Sequence, residues 1–322
     1  MKVAVTDYSF ADLNIEESLL KPAGVQVIGH PKFQGEEKLI DVVRDADAVL
    51  TQFAPVTPAV IDAMQRAKVI VRYGIGVDNV DLKAAAAKSI PVCNVPDFCV
   101  DEVADHTLAM ILASTRCIVP SWDAIRHDHH WKAGADLADM LVLRELTVGL
   151  VAYGKIAREV ALRLKPFKCR VLVFDPMVAP ATIEKDGFVP VSFDEICAKS
   201  DIISLHCPST DRTHFMINSE SISSMRKGVI VINLGRGDLI RTDALIAALQ
   251  TGHVRAAALD CTNPEPIPMD SPLLKMSNVI ITSHVASASL SAVQKLRRTV
   301  SELALRAVRG EPLINIVNGV KA

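Results

Sequence analysis

Three side chains that could take part in a reaction, a cation, an acid and a histidine, follow predicted strands in the C-terminal half of the chain. Arg236 lies in NLGRGD after an apolar run, Glu265 in the proline-rich NPEPIP, and His284 in ITSH, where the last predicted strand ends. The carboxyl ends of strands in a parallel sheet form one edge, and ligands bind there. Arginine binds anions with directional donors, and histidine exchanges protons near neutral pH. The three residues therefore predict a reaction site at that edge.

Each of these residues also has a plainer interpretation. Arg236 could be a charge on a surface loop, Glu265 a solvated carboxylate, and His284 a hydrogen-bonded histidine near the core. Their common position at strand ends, beside the turn described next, favours the reaction site.

A turn that is typical of dinucleotide binding occupies the stretch LTVGLVAYGKIAREVALRLKPFKCRVLVFDP (146–176). The G-x-G-x-x-G pattern would place glycines at 152, 154 and 157, and the chain has Ala152, Gly154 and Ala157. Gly154 holds the position where the backbone approaches the pyrophosphate, and alanine is tolerated at the third position. If the turn needs a positive φ at Ala152, its Cβ costs about 1–2 kcal/mol. If that cost were paid wholly in cofactor binding, it would weaken the affinity for the cofactor roughly tenfold.

The second strand of this unit ends at Asp175, 21 residues after Gly154. A carboxylate there accepts a hydrogen bond from the ribose 2′-OH and repels a 2′-phosphate. The sequence therefore predicts NAD as the cofactor.

Short apolar, β-branched runs alternate with helical patterns along the whole chain, which indicates parallel sheets covered on both faces. We expect an α/β fold with two doubly wound parallel-sheet domains, a flavodoxin-like substrate domain and a Rossmann cofactor domain. A long helix is expected over 100–119, and a terminal helix over 289–310 could return to the first sheet. The expected domains are 1–99 plus 290–322 for substrate and 100–289 for NAD.

Composition narrows the class of protein. The 322 residues are 50% hydrophobic with a formal charge of −2, which does not suit a nucleic-acid surface. The apolar runs are too short for a membrane span or a signal peptide, and the seven cysteines without C-x-x-C pairs suit a reduced, cytoplasmic protein. The run RHDHHW (126–131) matches no zinc pattern, so no metal site is predicted.

Over essentially its whole length the chain resembles the D-isomer-specific 2-hydroxyacid dehydrogenase family, in the branch that includes phosphoglycerate dehydrogenases and C-terminal-binding-protein-like members. It departs from the family pattern at Ala152 and Ala157, at TSH in place of T-P-H, and at DCT (260–262) in place of D-V-F. Besides the dinucleotide unit, the resembling motifs are YGIGVDNVDL (73–82), PVCNVPDFCVDEVADHTLAMIL (91–112), LHCPSTDRTHFMI (205–217), MRKGVIVINLGRGDLIRTDALIAAL (225–249), AALDCTNPEP (257–266) and NVIITSHVAS (278–287).

The resemblance implies an NAD-dependent enzyme acting on a small D-2-hydroxy acid or 2-keto acid. Arg236 would hold the substrate carboxylate and polarise its carbonyl, His284 would be the acid–base, and Glu265 its partner. Asp260 would contact the nicotinamide carboxamide. The implied cofactor-binding residues are Tyr153, Gly154, Lys155, Ile156, Asp175, His206, Cys207, Pro208, Thr213, Leu234, Gly235, Asp260 and His284. The implied substrate-binding residues are Arg72, Ile75, Gly76, Arg236 and His284.

The family also implies a homodimer formed through the cofactor domain, and Trp122 and Trp131 are candidates for the dimer surface or the hinge region. An alternative function is an NAD(H)-sensing dimeric binding protein, like the corepressor members of the family. No long tail or partner-binding insert is visible in the sequence, which favours the enzyme.

Overall fold

The computed structural model describes residues 1–129, 131 and 139–321. The chain forms two compact units, the first made of Met1–Phe98 and Ser289–Ala322 and the second of Cys99–Ala288. Each unit is built on its own parallel sheet, one of five strands and one of seven. The predicted α/β class with two parallel sheets is confirmed.

The sheet of the first unit has the strand order β2-β1-β3-β4-β5, with all neighbours parallel. Four of its strands are largely buried because helices cover them, whereas the edge strand Gln26–Gly29 is only partly buried. The strands are β1 (Lys2–Val5), β2 (Gln26–Gly29), β3 (Ala48–Thr51), β4 (Ile70–Arg72) and β5 (Val92–Cys93). The first four helices of the chain, all in this unit, are α1 (Asn14–Leu20), α2 (Glu36–Val43), α3 (Pro58–Ala63) and α4 (Leu82–Ala87).

The C-terminal helix α12 (Leu290–Arg309) belongs to this first unit and packs against α1 and β3. A buried ion pair joins α12 to α1, with Nη2 of Arg297 at 2.6 Å from Oε2 of Glu16. The Tyr73 hydroxyl, just after β4, donates to the same carboxylate at 3.2 Å. Both ends of the chain are thus tied to one sheet.

The seven-stranded sheet of the second unit has the order β12-β11-β10-β9-β6-β7-β8, again all parallel. The chain runs outward from β6 to β8 and then crosses to β9 on the other side of β6. The strand order therefore reverses between β6 and β9, where ligands bind in such sheets. The strands are β6 (Thr147–Val151), β7 (Arg170–Phe174), β8 (Val189–Pro190), β9 (Ile202–Leu205), β10 (Val229–Asn233), β11 (Val254–Leu259) and β12 (Val279–Ile281).

The second unit contains helices α5 to α11. They are α5 (Val100–Thr115), α6 (Ile118–Asp128), α7 (Lys155–Leu164), α8 (Pro180–Lys185), α9 (Phe193–Lys199), α10 (Ser219–Ser224) and α11 (Thr242–Gln250). Of these, α6 packs against α5 and has no buried residue among those described. Among the described residues, no single helix is long and apolar enough to cross a membrane. Helix α5 and the segment Ile118–His127 reach that length and hydropathy only when they are taken together, and a 64° bend separates them.

The expectation of one helix over 100–119 is wrong, because α5 ends at Thr115 and α6 begins at Ile118. Cys117 between them has a left-handed backbone with φ of 49°. A continuous helix would need an N–H at Pro120 to bond the carbonyl of Arg116, and proline has none. Proline instead falls in the first turn of α6, where that N–H has no helical partner.

Candidate active site

The dinucleotide turn after β6 has the backbone that its sequence pattern requires. Ala152 has φ of 82°, so the first position of the fingerprint is left-handed here. Its N–H donates to the Phe174 carbonyl at 2.7 Å, and the next N–H, that of Tyr153, donates to Oδ2 of Asp175 at 2.7 Å. These two bonds fix the turn to the end of β7. The cost of a Cβ at positive φ therefore lowers the stability of the fold rather than the affinity for a cofactor.

The start of α7 can accommodate a pyrophosphate. No atom of the described residues beyond the chain neighbours lies within 4 Å of the place where a Cβ on Gly154 would be. Among those residues, no side chain caps the helix at Gly154, so the N–H groups of Lys155 and Ile156 are presented at a helix N-terminus. Asp175 accepts one backbone N–H on each oxygen, from Tyr153 and Met177, which leaves lone pairs for a ribose hydroxyl. These residues fit a dinucleotide.

The Tyr153 side chain is turned into the protein, where it is 1% exposed. Its hydroxyl donates to Oδ2 of Asp186 at 2.9 Å, and the Arg158 guanidinium lies 4.5 Å from the centre of its ring. Burial, followed by the Asp186 hydrogen bond, raises the pKa of Tyr153. Only the backbone of Tyr153 is therefore suited to the predicted cofactor contact.

The loop after β9 carries four of the predicted cofactor residues. Burial lowers the pKa of His206 to about 4, so its ring is neutral at pH 7, with Nε2 at 2.9 Å from the Ser204 hydroxyl. Burial raises the pKa of Cys207 to about 11, which keeps it a thiol. The Thr213 hydroxyl donates to the Pro208 carbonyl at 2.6 Å and closes the loop.

A buried asparagine that the sequence reasoning missed shapes the turn after β10. The side chain of Asn233 donates to the Arg236 carbonyl at 2.8 Å and accepts from the Gly235 N–H at 3.0 Å. Nη1 of Arg236 donates to the Gly235 carbonyl at 2.9 Å. Leu234, the preceding residue, is 9% exposed. The signal for Asn233 was a polar residue ending an otherwise apolar strand.

Gly237 brings the Arg236 turn against the loop that carries Glu265. A Cβ at Gly237 would collide with the backbone of Thr262. A backbone contact that only glycine permits therefore brings Arg236 close to the loop that carries Glu265. Electrostatic attraction to Arg236 contributes to the low pKa of Glu265, after the larger effect of His284.

His284 and Glu265 form a direct pair. Nδ1 of His284 lies 2.7 Å from Oε1 of Glu265, and the two side chains are 36% and 43% exposed. The hydrogen bond to His284 holds the pKa of Glu265 below its usual value. With Nδ1 paired to the carboxylate, Nε2 is the ring nitrogen suited to exchange a proton with a substrate. The predicted acid–base residue and its predicted partner are thus in contact.

Asp260 positions the His284 segment. Its carbonyl accepts the His284 N–H at 2.9 Å, while its carboxylate accepts the Thr282 hydroxyl and the N–H groups of Val285 and Ala286. His284 itself has a left-handed backbone, with φ of 54°. Because Asp260 is 3% exposed, these bonds hold a strained backbone in one place. Its predicted contact with nicotinamide stays a prediction.

His106 of α5 extends this network, although no sequence pattern indicated it. Its Nε2 lies 3.2 Å from the Thr282 hydroxyl, which in turn donates to Asp260. The chain of contacts therefore links a core helix to the segment that carries His284.

The other predicted substrate residues belong to the first unit: Arg72 is the last residue of β4, and Ile75 and Gly76 follow that strand. The Arg72 guanidinium occupies the space beside Gly74, where a Cβ would collide with Nη1. Gly74 has φ of 146°, which also requires glycine. The Asn94 side chain donates to the Ile75 carbonyl at 2.6 Å. The loop is therefore ordered, and its contact with substrate stays a prediction.

Residues 108–286 match the family model described as D-isomer specific 2-hydroxyacid dehydrogenase, NAD binding domain. This match confirms the prediction of NAD as the cofactor. The chain is 37% identical over 282 residues to a D-3-phosphoglycerate dehydrogenase of Mycobacterium leprae, covering 87% of this chain and 53% of that protein. The chain thus spans about half the length of this relative.

Two further proteins match over most of their length. A glyoxylate reductase of Korarchaeum cryptofilum is 33% identical, with 87% of this chain and 85% of that protein covered. The solved structure of the TT0316 protein from Thermus thermophilus has a TM-score of 0.88 and 33% identity, covering 98% of this chain and 100% of that one. The family model matches more than half of the chain, and relatives of 33–37% identity match most of it. The chain therefore belongs to the D-isomer-specific 2-hydroxyacid dehydrogenase family.

Proposed function

We propose that the chain is an NAD-dependent dehydrogenase that interconverts a D-2-hydroxy acid and its 2-keto acid. The observation that carries the proposal is the His284–Glu265 pair, which stands at the same sheet edge as a turn suited to a dinucleotide. Bound NADH supplies the hydride for reduction. The residues of this chain supply binding, orientation and the proton.

Arg236 binds the substrate carboxylate and polarises the carbonyl, since its planar donors suit both oxygens. In reduction, Nε2 of His284 donates its proton to the carbonyl oxygen, and in oxidation it takes that proton back. Glu265, ionised because its pKa is low, stabilises the protonated imidazole through Nδ1. Per turnover, a 2-keto acid, NADH and one proton give a D-2-hydroxy acid and NAD⁺.

The substrate that we propose is a small keto acid such as glyoxylate or hydroxypyruvate. A phosphorylated substrate would need extra cations, and the loop after β3 (TQFAPVT) contains neither lysine nor arginine. That loop exposes Phe53, which is 60% accessible. The similarity to a glyoxylate reductase over 85% of its length supports the same choice.

The test is a panel of 2-keto acids, phosphorylated and not, assayed with NADH and with NADPH. We expect turnover with NADH that His284→Ala abolishes. The matched control is His127→Ala, since His127 also faces a carboxylate, Asp123 at 3.8 Å, but lies on α6. No turnover on any acid, together with NADH-dependent dimerisation, would refute the enzyme and favour an NAD(H)-sensing protein.

We also propose a homodimer formed through the second unit. Helix α6 exposes Ile118, Trp122 and Ile125 at 55%, 57% and 38%, and their spacing places them on one face. Trp131 nearby in sequence is 86% exposed. Exposed apolar residues on one face are typical of an interface. Sedimentation should show a dimer for the wild type and a monomer for Trp122→Lys.

A further inference from the structure

A thiol lies next to the acid–base pair. The ligand atoms of Cys261, Glu265 and His284 all lie within 4.8 Å of one another. Cys261 follows Asp260 at the end of β11, is 1% exposed, and donates from Sγ to the Gly235 carbonyl at 3.4 Å. This cysteine belongs to the segment DCT, one of the departures of this chain from the family pattern.

The three donors are of the types that bind zinc. Typical bonds are about 2.3 Å to sulfur and about 2.0–2.2 Å to imidazole nitrogen and carboxylate oxygen. At tetrahedral angles these bonds place the ligand atoms roughly 3.4–3.6 Å apart. The 2.7 Å between His284 and Glu265 must widen by about 0.7–0.9 Å, and a separation at the 4.8 Å limit must shorten by about 1.2–1.4 Å. Since both side chains are partly exposed, they have room to rotate by that amount.

The charges of the donors also suit a divalent cation. A thiolate and a carboxylate with a neutral imidazole balance two positive charges, although Arg236 nearby opposes the ion. We propose that Cys261, Glu265 and His284 form a binding site for a zinc-like, thiophilic divalent cation, and that its binding inhibits the acid–base pair. On binding, the Cys261 thiol releases its proton to solvent as the metal–sulfur bond forms.

Binding at this site stops proton transfer for a geometric reason. The cation takes the position between Nδ1 of His284 and the Glu265 carboxylate, so the imidazole no longer has its anionic partner. A coordinated imidazole must be neutral at the bound nitrogen. It therefore no longer forms the doubly protonated ring that donates to a substrate. Hard ions such as Mg²⁺ prefer oxygen ligands and should not bind here.

The first experiment measures Co²⁺ binding to the purified full chain by absorption, without turnover. We expect a thiolate-to-cobalt charge-transfer band in the wild type that Cys261→Val removes, with Cys261→Ser as a second variant. Cys197→Val is the matched control, because Cys197 is equally buried but lies on α9. A wild-type chain with no thiolate band, or a band that persists in both Cys261 variants, would overturn the proposal.

The second experiment separates this site from the histidines of RHDHHW, of which His130 lies outside the described residues. Equilibrium dialysis with Zn²⁺ should show binding that weakens at least about tenfold in Cys261→Val and Glu265→Gln. The double variant His127→Ala/His129→Ala should retain it. Loss of all binding in that double variant alone would place the ion on the histidine run and contradict the proposal. Neither experiment depends on the proposed enzymatic activity.

Discussion

Nδ1 of His284 lies 2.7 Å from Oε1 of Glu265, and the two residues come from loops after different strands. His284 holds this position with a left-handed backbone, φ of 54°, that the bonds of Asp260 keep in place. A histidine in this conformation is uncommon, and such strain is concentrated at functional sites. The pair and its anchor are therefore the parts of the molecule where substitution should be most informative.

Replacing Glu265 with glutamine should lower the rate of keto-acid reduction by about 10- to 100-fold. The amide keeps a hydrogen-bond acceptor but carries no charge to stabilise the protonated imidazole. The alkaline limb of the reduction profile should therefore move to lower pH. In the wild type, the pKa of Glu265 lies below its ordinary 4.5, so the carboxylate stays ionised until pH falls below that value. The measurement is kcat against pH.

Asp123→Asn is the matched control for this prediction, because it removes the carboxylate beside His127 on α6. It should leave the profile unchanged. An unshifted profile in Glu265→Gln would show that the carboxylate only fills space.

Asp260→Asn should destabilise the fold by about 1–3 kcal/mol, because an amide nitrogen must then face one of three donors in a buried site. The segment with His284 loses its anchor, so kcat should fall while KM for NADH changes little. If Asp260 instead contacts nicotinamide, KM for NADH should rise. Steady-state kinetics with chemical denaturation distinguishes the two roles.

Ala152→Gly should raise the free energy of unfolding by up to about 1 kcal/mol. The substitution removes a Cβ cost of about 1–2 kcal/mol at positive φ, and the chain entropy of glycine offsets part of it, roughly 0.5–1 kcal/mol. The turn is fixed by bonds to β7, so the gain should appear in stability more than in NADH affinity. Denaturant melts and NADH titration measure both quantities.

The third fingerprint position gives the matched control. Ala157 is buried inside α7, where Ala157→Gly should destabilise by about 0.5–1 kcal/mol. A stabilising Ala157→Gly or a destabilising Ala152→Gly would contradict the assignment of strain to the turn.

Most strands could be predicted because they are continuous apolar runs that end at a polar residue. The two-residue β8 (Val189–Pro190) was not predicted, because it is too short to show such a run. The same signal located Asp175, Arg236 and His284, since function follows strand ends in such sheets. The break before α6 was missed because the apolar pattern continues through Cys117, while Pro120 was given too little weight. Sequence patterns therefore predict the ends of helices less well than the central residues of strands.

The supporting residues could not be predicted, because their partners are distant in sequence. Asp260 receives bonds from residues 22 to 26 positions away, and His106 contacts Thr282 across 176 positions. No periodicity or spacing encodes such pairs. The positive φ of Ala152 could not be predicted from the residue type, because alanine disfavours that conformation.

His206 should make the fold sensitive to acid. Burial lowers its pKa to about 4 from an ordinary 6.5, so the unfolded chain binds a proton that the folded chain refuses between those values. Its contribution is fully present above pH 6.5 and is lost as pH falls to about 4, a total of at most about 3 kcal/mol. His206→Gln should flatten this part of the stability profile, whereas the exposed His127→Gln should not. Melting temperatures across this range provide the measurement, and equal slopes in all three proteins would refute it.

The Arg297–Glu16 pair should be the most sensitive contact of the first unit. Glu16 is fully buried and Arg297 is 7% exposed, with two of its nitrogens bonded to the carboxylate. Arg297→Met should cost about 3–5 kcal/mol, because it leaves Glu16 charged and buried without its cation.

Removing both charges in Glu16→Met/Arg297→Met should recover much of that loss, since well-packed apolar residues often replace a buried pair at little cost. Trp122 and Trp131 lie in the second unit, so tryptophan fluorescence does not report on this contact. Hydrogen exchange of peptides from α1 and α12 is the suitable measurement. Exchange in Arg297→Met should be faster than in both the wild type and the double variant. A double variant that exchanges faster than the single one would show that the pair stabilises the unit by more than it costs to bury.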